Sequence, residues 1–93
     1  MTITFDPAKR AATKNERGLD FLDAAQVFAG REFTVEDTRH AYGERRYQTV
    51  GYLAGRMVMV VWTPRGKARH VISMRKCNVK EQARYQELLE TGG

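Results

Sequence analysis

The chain has 93 residues, 42% of them hydrophobic, and carries sixteen Lys and Arg against eleven Asp and Glu. At this length a chain forms one domain, here residues 1–93, and its apolar content is too high for a disordered protein. The net charge of +5 favours an anionic partner, either nucleic acid or an acidic protein. The single Cys77 excludes an internal disulfide framework. The N-terminus lacks the basic region followed by an apolar stretch that is typical of a signal peptide, so none is expected. Since no apolar run is long enough to span a bilayer, the sequence predicts a cytoplasmic protein without a membrane partner.

The first third of the chain predicts one strand and two helices. Residues 2–5 alternate polar and apolar side chains, which indicates a short strand. Asp6 followed by proline is a typical helix start, and it predicts a first helix over residues 8–17. Asp20 in turn is the expected N-cap of a second helix over residues 21–28.

The remainder of the chain predicts a small sheet followed by a third helix. Strands are expected at residues 33–35, 45–53, 56–63 and 67–76. Residues 57–62 are apolar without alternation, so their strand is central and covered on both faces, and Pro64 ends it. Asn78 and Glu81 form a capping box for a helix over residues 79–90. The order β-α-α-β-β-β-β-α predicts an α+β fold, a small antiparallel sheet flanked by helices.

The last predicted strand carries several candidate anion-binding groups. Its turn is expected at Arg65-Gly66. Alternation places Arg69, Val71, Ser73 and Arg75 on one face, and Ala68, His70, Ile72 and Met74 on the other. Because Ile72 and Met74 suit a helix-covered face, the arginines are expected to look outward as an anion-binding surface. Solvated strand charges and a structural His70 are the alternatives.

Cleavage of a phosphodiester without a metal needs a base, a cation for the pentavalent phosphate and an acid for the leaving oxygen. Arginines bind phosphate through a planar fork, and the run Glu44-Arg45-Arg46 could supply such a cation. The same run could instead be an ion-pair cluster that holds a strand end. The candidate proton-transfer groups are His70, His40, Glu44, Glu81, Lys76 and Tyr85. No metal-ligand spacing is present, so neither a metal nor a cofactor is expected.

Short segments along most of the chain resemble a known family. They are Phe5-Asp6-Pro7-Ala8-Lys9, Lys14-Asn15-Glu16-Arg17-Gly18-Leu19-Asp20-Phe21, Ala24-Ala25, Val27-Phe28, Gly43-Glu44-x-Arg46, Thr49-x-Gly51, Gly55-Arg56, Thr63-x-Arg65-Gly66, Ile72-Ser73-x-Arg75-Lys76, Glu81 and Tyr85. In this order and spacing they resemble BrnT, the ribonuclease toxin of the BrnT/BrnA type II toxin–antitoxin systems, within the RelE-like group. Glu16-Arg17 stands where relatives often have Lys-His, His70 where they often have arginine, and Met74 replaces a small residue.

The resemblance implies an endoribonuclease that works without a cofactor, by attack of the 2′-hydroxyl to give a 2′,3′-cyclic phosphate. It also implies a BrnA-like antitoxin that neutralises the toxin in a hetero-oligomer. In this complex the antitoxin binds DNA, the toxin contacts DNA only through it, and the complex represses its own operon. The expected catalytic residues are Arg75, Arg46, Glu44, His70 and Tyr85. The expected RNA-binding residues are Arg65, Lys76 and Arg69.

Two other functions stay open from the residues alone. One is a non-catalytic module that acts only as a corepressor with its partner. The other is a free-standing RNA-binding domain, which would need exposed aromatic side chains on a basic sheet. The positions of Tyr47, Tyr52 and Trp62 do not indicate such an arrangement.

Overall fold

The computed structural model describes residues 1–91. Within this range the strands are β1 (Thr2–Phe5), β2 (Glu32–Glu36), β3 (Tyr47–Leu53), β4 (Arg56–Arg65) and β5 (Ala68–Lys76). The helices are α1 (Pro7–Arg17), α2 (Ala24–Ala29) and α3 (Val79–Glu90), and a 3-10 helix, Phe21–Asp23, precedes α2. The α+β class and the predicted order of strands and helices are confirmed.

The strands form one sheet in the order β1-β5-β4-β3-β2. Strands β2 to β5 pair in antiparallel fashion, whereas β1 pairs with β5 in parallel, so the sheet is mixed rather than wholly antiparallel. A tight turn forces antiparallel pairing only on consecutive strands. Because two α-helices, a 3-10 helix and three strands separate β1 from β5 along the chain, no turn constrains their relative direction.

The central strand β4 separates two apolar cores, as its unbroken apolar run predicts. On one side, Val58, Val60 and Trp62 pack with residues of the 3-10 helix and α2; we call this side the α2 face. On the other side, Met57 and Met59 pack with Leu89 of α3, and we call this side the α3 face.

Local signals account for most of the element ends. The Asp6 carboxylate accepts a hydrogen bond from the Ala8 N–H at 2.9 Å, and Gly18 ends α1 in the left-handed region at φ 69°. The capping box of α3 is present, with Asn78 and Glu81 each accepting from the other's backbone N–H. Asp20 caps as predicted, but it caps the 3-10 helix rather than an unbroken α-helix.

Two boundaries in the last hairpin differ from the prediction. Strand β4 continues through Pro64 to Arg65, and the turn is Gly66-Lys67, one residue later than expected. The ladder between β3 and β4 ends where Tyr47 faces Trp62, so at Pro64 the strand β4 has only β5 as a neighbour. A proline is tolerated at such an edge position, which is why it does not end the strand.

Candidate active site

Helix α3 covers only part of the α3 face. The covered side chains are Met57 and, in one cross-strand row, Phe33, Val50 and Met59; the half-exposed Arg75 ends that row. Beyond it follow a second row, Val35, Gln48, Val61 and Ser73, and a third, Thr63, His70 and Thr4. We call these last two rows the open half. All of their side chains except that of Thr63 are at least partly exposed, so the open half is accessible surface beside α3.

A β-bulge in β5 decides which side chains reach the open half. Val61 pairs with Ser73 and Trp62 pairs with Val71, so Ile72 is an extra residue without a partner. One extra residue reverses the alternation on either side of it. Ser73 and Arg75 therefore share the α3 face with His70, whereas Met74 lies in the core of the α2 face.

The bulge overturns the predicted grouping of residues on this strand. Arg69 lies on the α2 face, where its guanidinium carbon is 4.4 Å from the ring centre of Phe28 and 4.5 Å from that of Trp62. The expectation that Arg69 shares a face with Arg75 is therefore wrong. The expectation that His70 lies on the side of Met74, beneath helices, is wrong for the same reason.

A cluster of Arg46, Glu44 and Arg65 lies at the end of the open half. Arg46 Nε donates to Glu44 Oε2 at 3.0 Å, and Arg65 Nη2 lies 4.0 Å from Glu44 Oε1. The Arg46 guanidinium also stacks on the ring of Tyr42, with its central carbon 3.9 Å from the ring centre. The structure thus brings together three residues of the sequence-based set, two from the loop before β3 and one from the end of β4.

His70 of β5 lies on the same face as Arg65, opposite Thr63 in the ladder with β4. Its Nδ1 lies 2.8 Å from Thr4 Oγ1, so when Nδ1–H donates to that hydroxyl, Nε2 is left as a proton acceptor. The pKa of His70 is lowered, first by burial of the ring and then by the positive charge of Arg65, while Glu44 acts in the opposite direction. A lowered pKa favours the neutral imidazole, the state that a general base requires.

Arg75 is held by an ion pair with Glu81 at the start of α3. Its Nη1 and Nη2 donate to the two carboxylate oxygens at 2.7 and 2.6 Å. This pairing raises the pKa of Arg75, and the nearby charge of Arg39 acts against it. Nη2 also donates to Met59 Sδ at 3.4 Å, so the second hydrogen of Nη1 and the hydrogen of Nε are the donors that a phosphate could use.

The loop between β2 and β3 contributes residues that were absent from the sequence-based set. Asp37 is buried and accepts from both the backbone and the side chain of Arg39, at 3.2, 2.8 and 2.8 Å. These contacts hold the pKa of Asp37 well below its usual range. An acidic residue two positions before an arginine is a weak signal in a polar loop, and only the folded loop shows that the two residues are paired.

Besides Arg69, two sequence-predicted residues lie away from the cluster. Lys76 faces the α2 side, where it lines an open groove with Gly18 and Arg56. Tyr85 packs in the core of the α3 face, with its ring centre 6.1 Å from that of Phe33 and its side chain partly exposed. Together with Arg69, Lys76 is thus separated from the cluster by the thickness of the sheet.

The described residues offer no group of three or more His, Cys, Asp or Glu side chains that could hold a metal ion. Cys77 is buried, and this burial raises the pKa of its thiol to about 11, which makes it a poor nucleophile. In the part of the chain that the structure describes, no helix is long and apolar enough to cross a membrane.

The sequence was compared with models of known protein families. Residues 5–81 match the family model described as the ribonuclease toxin BrnT of type II toxin–antitoxin systems. The chain belongs to the BrnT family. No curated protein matches it. The match confirms the resemblance seen in the sequence, and a BrnT toxin of a type II system is a ribonuclease with an antitoxin protein as its partner. The assignment to the RelE-like group stays a prediction.

Proposed function

We propose that this BrnT-family protein is a metal-independent endoribonuclease that binds RNA across the open half of the α3 face. The observation that supports this proposal is the convergence of Arg46, Glu44, Arg65 and His70 beside an accessible sheet surface. Cations from two strand ends and a neutral imidazole are the groups that cleavage of a phosphodiester without a metal requires.

Arg46 is the proposed clamp for the scissile phosphate. Its Nε donates to Glu44, and one face of its guanidinium lies on the Tyr42 ring. These contacts set the direction of the guanidinium plane and do not use its terminal nitrogens. A pre-oriented guanidinium stabilises the charge of the pentavalent phosphate without reorganising during the reaction. Arg65, with a side chain 57% exposed, is placed to bind a neighbouring phosphate.

His70 is the proposed general base, with Glu44 as the alternative. The 2′-hydroxyl proton passes to Nε2 of His70 as the 2′-oxygen bonds to phosphorus, and the bond from phosphorus to the 5′-oxygen breaks. The products are a 2′,3′-cyclic phosphate and a 5′-hydroxyl, whose proton comes from an acid. A tyrosine hydroxyl can donate such a proton, and Tyr85 of α3 is proposed for this role. Arg75 is proposed as a second cation for the transition state.

Arg46→Ala tests the proposal, with Arg56→Ala as its matched control. Both changes remove one arginine, but Arg56 is exposed at the start of β4 and lines the groove on the α2 face. The assays are growth after induction of the chain alone, and cleavage of a long mixed-sequence transcript by the purified protein in EDTA. We expect Arg46→Ala to reduce cleavage about 100-fold, because loss of one transition-state donor has an effect of that order. Arg56→Ala should cleave as the parent does.

The ends of the fragments complete the test. Cyclic phosphate ends, formed in EDTA and lost in Arg46→Ala, would support the proposed reaction. Equal cleavage by the two variants would refute the assignment of the site. A folded parent protein that neither cleaves RNA nor arrests growth would favour the non-catalytic corepressor instead.

The antitoxin partner is proposed to neutralise the toxin by covering the same cations. A BrnA-like protein with an acidic segment would complement Arg46, Arg65 and Arg75, and binding of the folded toxin would also stabilise this small domain by mass action. In the proposed hetero-oligomer only the antitoxin contacts DNA, and the complex represses its own operon in the cytoplasm.

A further inference from the structure

The loop that joins β2 to β3 is organised around one buried carboxylate. Its two ends are joined by a hydrogen bond from the Asp37 N–H to the Arg46 carbonyl at 2.7 Å, one step beyond the last ladder pair, Glu36 with Tyr47. Because this bond closes the neck, residues 38–45 form a loop shaped by its internal contacts and by a hydrogen bond from β4, in which Thr63 Oγ1 donates to the Arg45 carbonyl at 2.6 Å.

Those internal contacts converge on Asp37. Its side chain is only 1% exposed, although Thr38 and Arg39, the next residues along the loop, are exposed. It accepts three hydrogen bonds from Arg39 and one from the hydroxyl of Tyr42, at 3.3 Å. Burying a carboxylate in a surface loop is costly unless its oxygens are fully engaged, so these contacts and the loop conformation require one another.

Tyr42 connects Asp37 to the proposed clamp, Arg46. Its hydroxyl donates to Asp37, while its ring lies under the guanidinium of Arg46 at 3.9 Å. The ring is further held by an edge contact with His40, with ring centres 5.5 Å apart. Asp37 thus fixes Tyr42, and Tyr42 together with Glu44 fixes the plane of Arg46.

We propose that Asp37 is a positioning residue for RNA cleavage, acting through Tyr42 on Arg46. This inference rests on the proposed function, in which Arg46 clamps the phosphate. Asp37 also aligns Arg39, whose charge is close enough to oppose the raised pKa of Arg75. One buried carboxylate therefore sets the direction of the proposed clamp, Arg46, and also holds the guanidinium of Arg39.

The test is a double-mutant cycle between Asp37→Asn and Arg46→Lys, measured as single-turnover cleavage of a long mixed-sequence transcript at saturating protein. Arg46→Lys keeps a charge, so that residual cleavage stays measurable. We expect Asp37→Asn to slow cleavage about 10- to 100-fold when Arg46 is present, because a small misplacement of a reacting group costs that much. In the Arg46→Lys background the same change should cost less than about twofold.

Asp23→Asn is the matched control, since it removes one carboxylate charge from the groove on the α2 face and should leave cleavage unchanged. Tyr42→Leu keeps Asp37 and removes the stacking ring, and it should reproduce the loss of rate seen in Asp37→Asn. Reductions that multiply in the double variant would overturn the inference, because Asp37 would then act independently of Arg46.

A nuclear magnetic resonance measurement separates failure of this inference from failure of the proposed function. The Arg46 Nε–H lies close to the Tyr42 ring, so the ring current shifts its signal in the free protein. We expect this signal to move in Asp37→Asn and to stay in place in Asp23→Asn. If the parent does not cleave RNA but the signal moves, the proposed function fails while positioning of Arg46 stands. If the signal stays in place in Asp37→Asn, the positioning inference is refuted whatever the cleavage result.

Discussion

The ion pair between Arg75 and Glu81 offers the most quantitative test of how β5 is joined to α3. We expect Glu81→Gln to lower the free energy of unfolding at pH 7. The carboxylate accepts from Arg75 at 2.7 and 2.6 Å and from the Asn78 N–H at 2.9 Å. An amide oxygen in the place of Oε1 can still accept from Arg75 Nη1 and from the Asn78 N–H, so the substitution mainly removes the negative charge and one arm of the fork.

The size of the effect follows from the titration of Glu81. Its pKa is lowered from 4.5 to about 2, first by the hydrogen bond from Arg75 and then, against the effect of burial, by the Asn78 N–H. A difference of that size corresponds to about 3 kcal/mol. The Arg75 side chain is 41% exposed, however, and solvent screening of such a pair reduces the expected loss to about 1–2 kcal/mol.

The pH dependence distinguishes this ion pair from a general packing defect. Because the pKa of Glu81 is lower in the folded protein, its stabilising contribution is fully present above pH 4.5 and is lost as pH falls toward 2. The gap in stability between the parent and Glu81→Gln should therefore narrow over that range. Glu87→Gln, an exposed charge change on the same helix, should have almost no effect at any pH.

Urea unfolding followed by circular dichroism measures both effects. A loss of 1–2 kcal/mol moves the midpoint by about 1 M at the slope that a small domain shows. A Glu81→Gln protein as stable as Glu87→Gln at pH 7 would refute the assignment of a stabilising pair. A gap that stays constant down to pH 3 would show that the loss comes from helix packing rather than from charge.

Two further outcomes follow from the structure. A Cβ at Gly51 would lie 2.8 Å from Val27 Cγ1 and 3.1 Å from the Arg31 carbonyl oxygen, so Gly51→Ala should cost about 1–3 kcal/mol in urea unfolding. Gly30→Ala, with its nearest neighbour at 3.7 Å, is the control and should be nearly neutral; equal losses would refute the close approach of α2 to β3. If His70 is the base, the cleavage rate should rise with pH along a limb whose midpoint lies below 6.5, because its pKa is lowered. His70→Gln should remove that limb, and an unchanged pH profile would assign the base to another group.

The pH dependence of the free energy of unfolding tests the lowered pKa of His70 independently of cleavage. A histidine whose pKa is lower in the folded state contributes stability that is present at high pH and is lost as pH falls through 6.5. The parent should therefore lose stability on acidification through this window, and His70→Gln should lose less.

Much of the fold could be predicted because its signals are local. The helix start at Asp6, the capping box of Asn78 with Glu81 and the turn at Ala54-Gly55 each depend on residues within three or four positions of one another. Interactions over so short a distance in the chain form in the same way in many folds. The central position of β4 was also predictable, because an unbroken apolar run needs cover on both faces.

The proposed cluster could be predicted only in part. Glu44 and Arg46 are two residues apart and pair directly, so their association was visible in the sequence. The contribution of Asp37 was not, because a carboxylate in a polar loop gives no sign of burial until the loop closes over it. The parallel pairing of β1 with β5 likewise joins segments more than sixty residues apart.

The sequence by itself thus determined the elements, their caps, the central strand and the family, through local hydrogen bonding and apolar periodicity. Only the tertiary structure decided which charges share a face. Alternation assigns faces for a regular strand, but the extra residue Ile72 is defined by the register between β4 and β5 and reverses the pattern. That one-residue offset sends Arg69 to the α2 face and leaves His70 and Arg75 on the α3 face, where the open half meets Arg46 and Glu44.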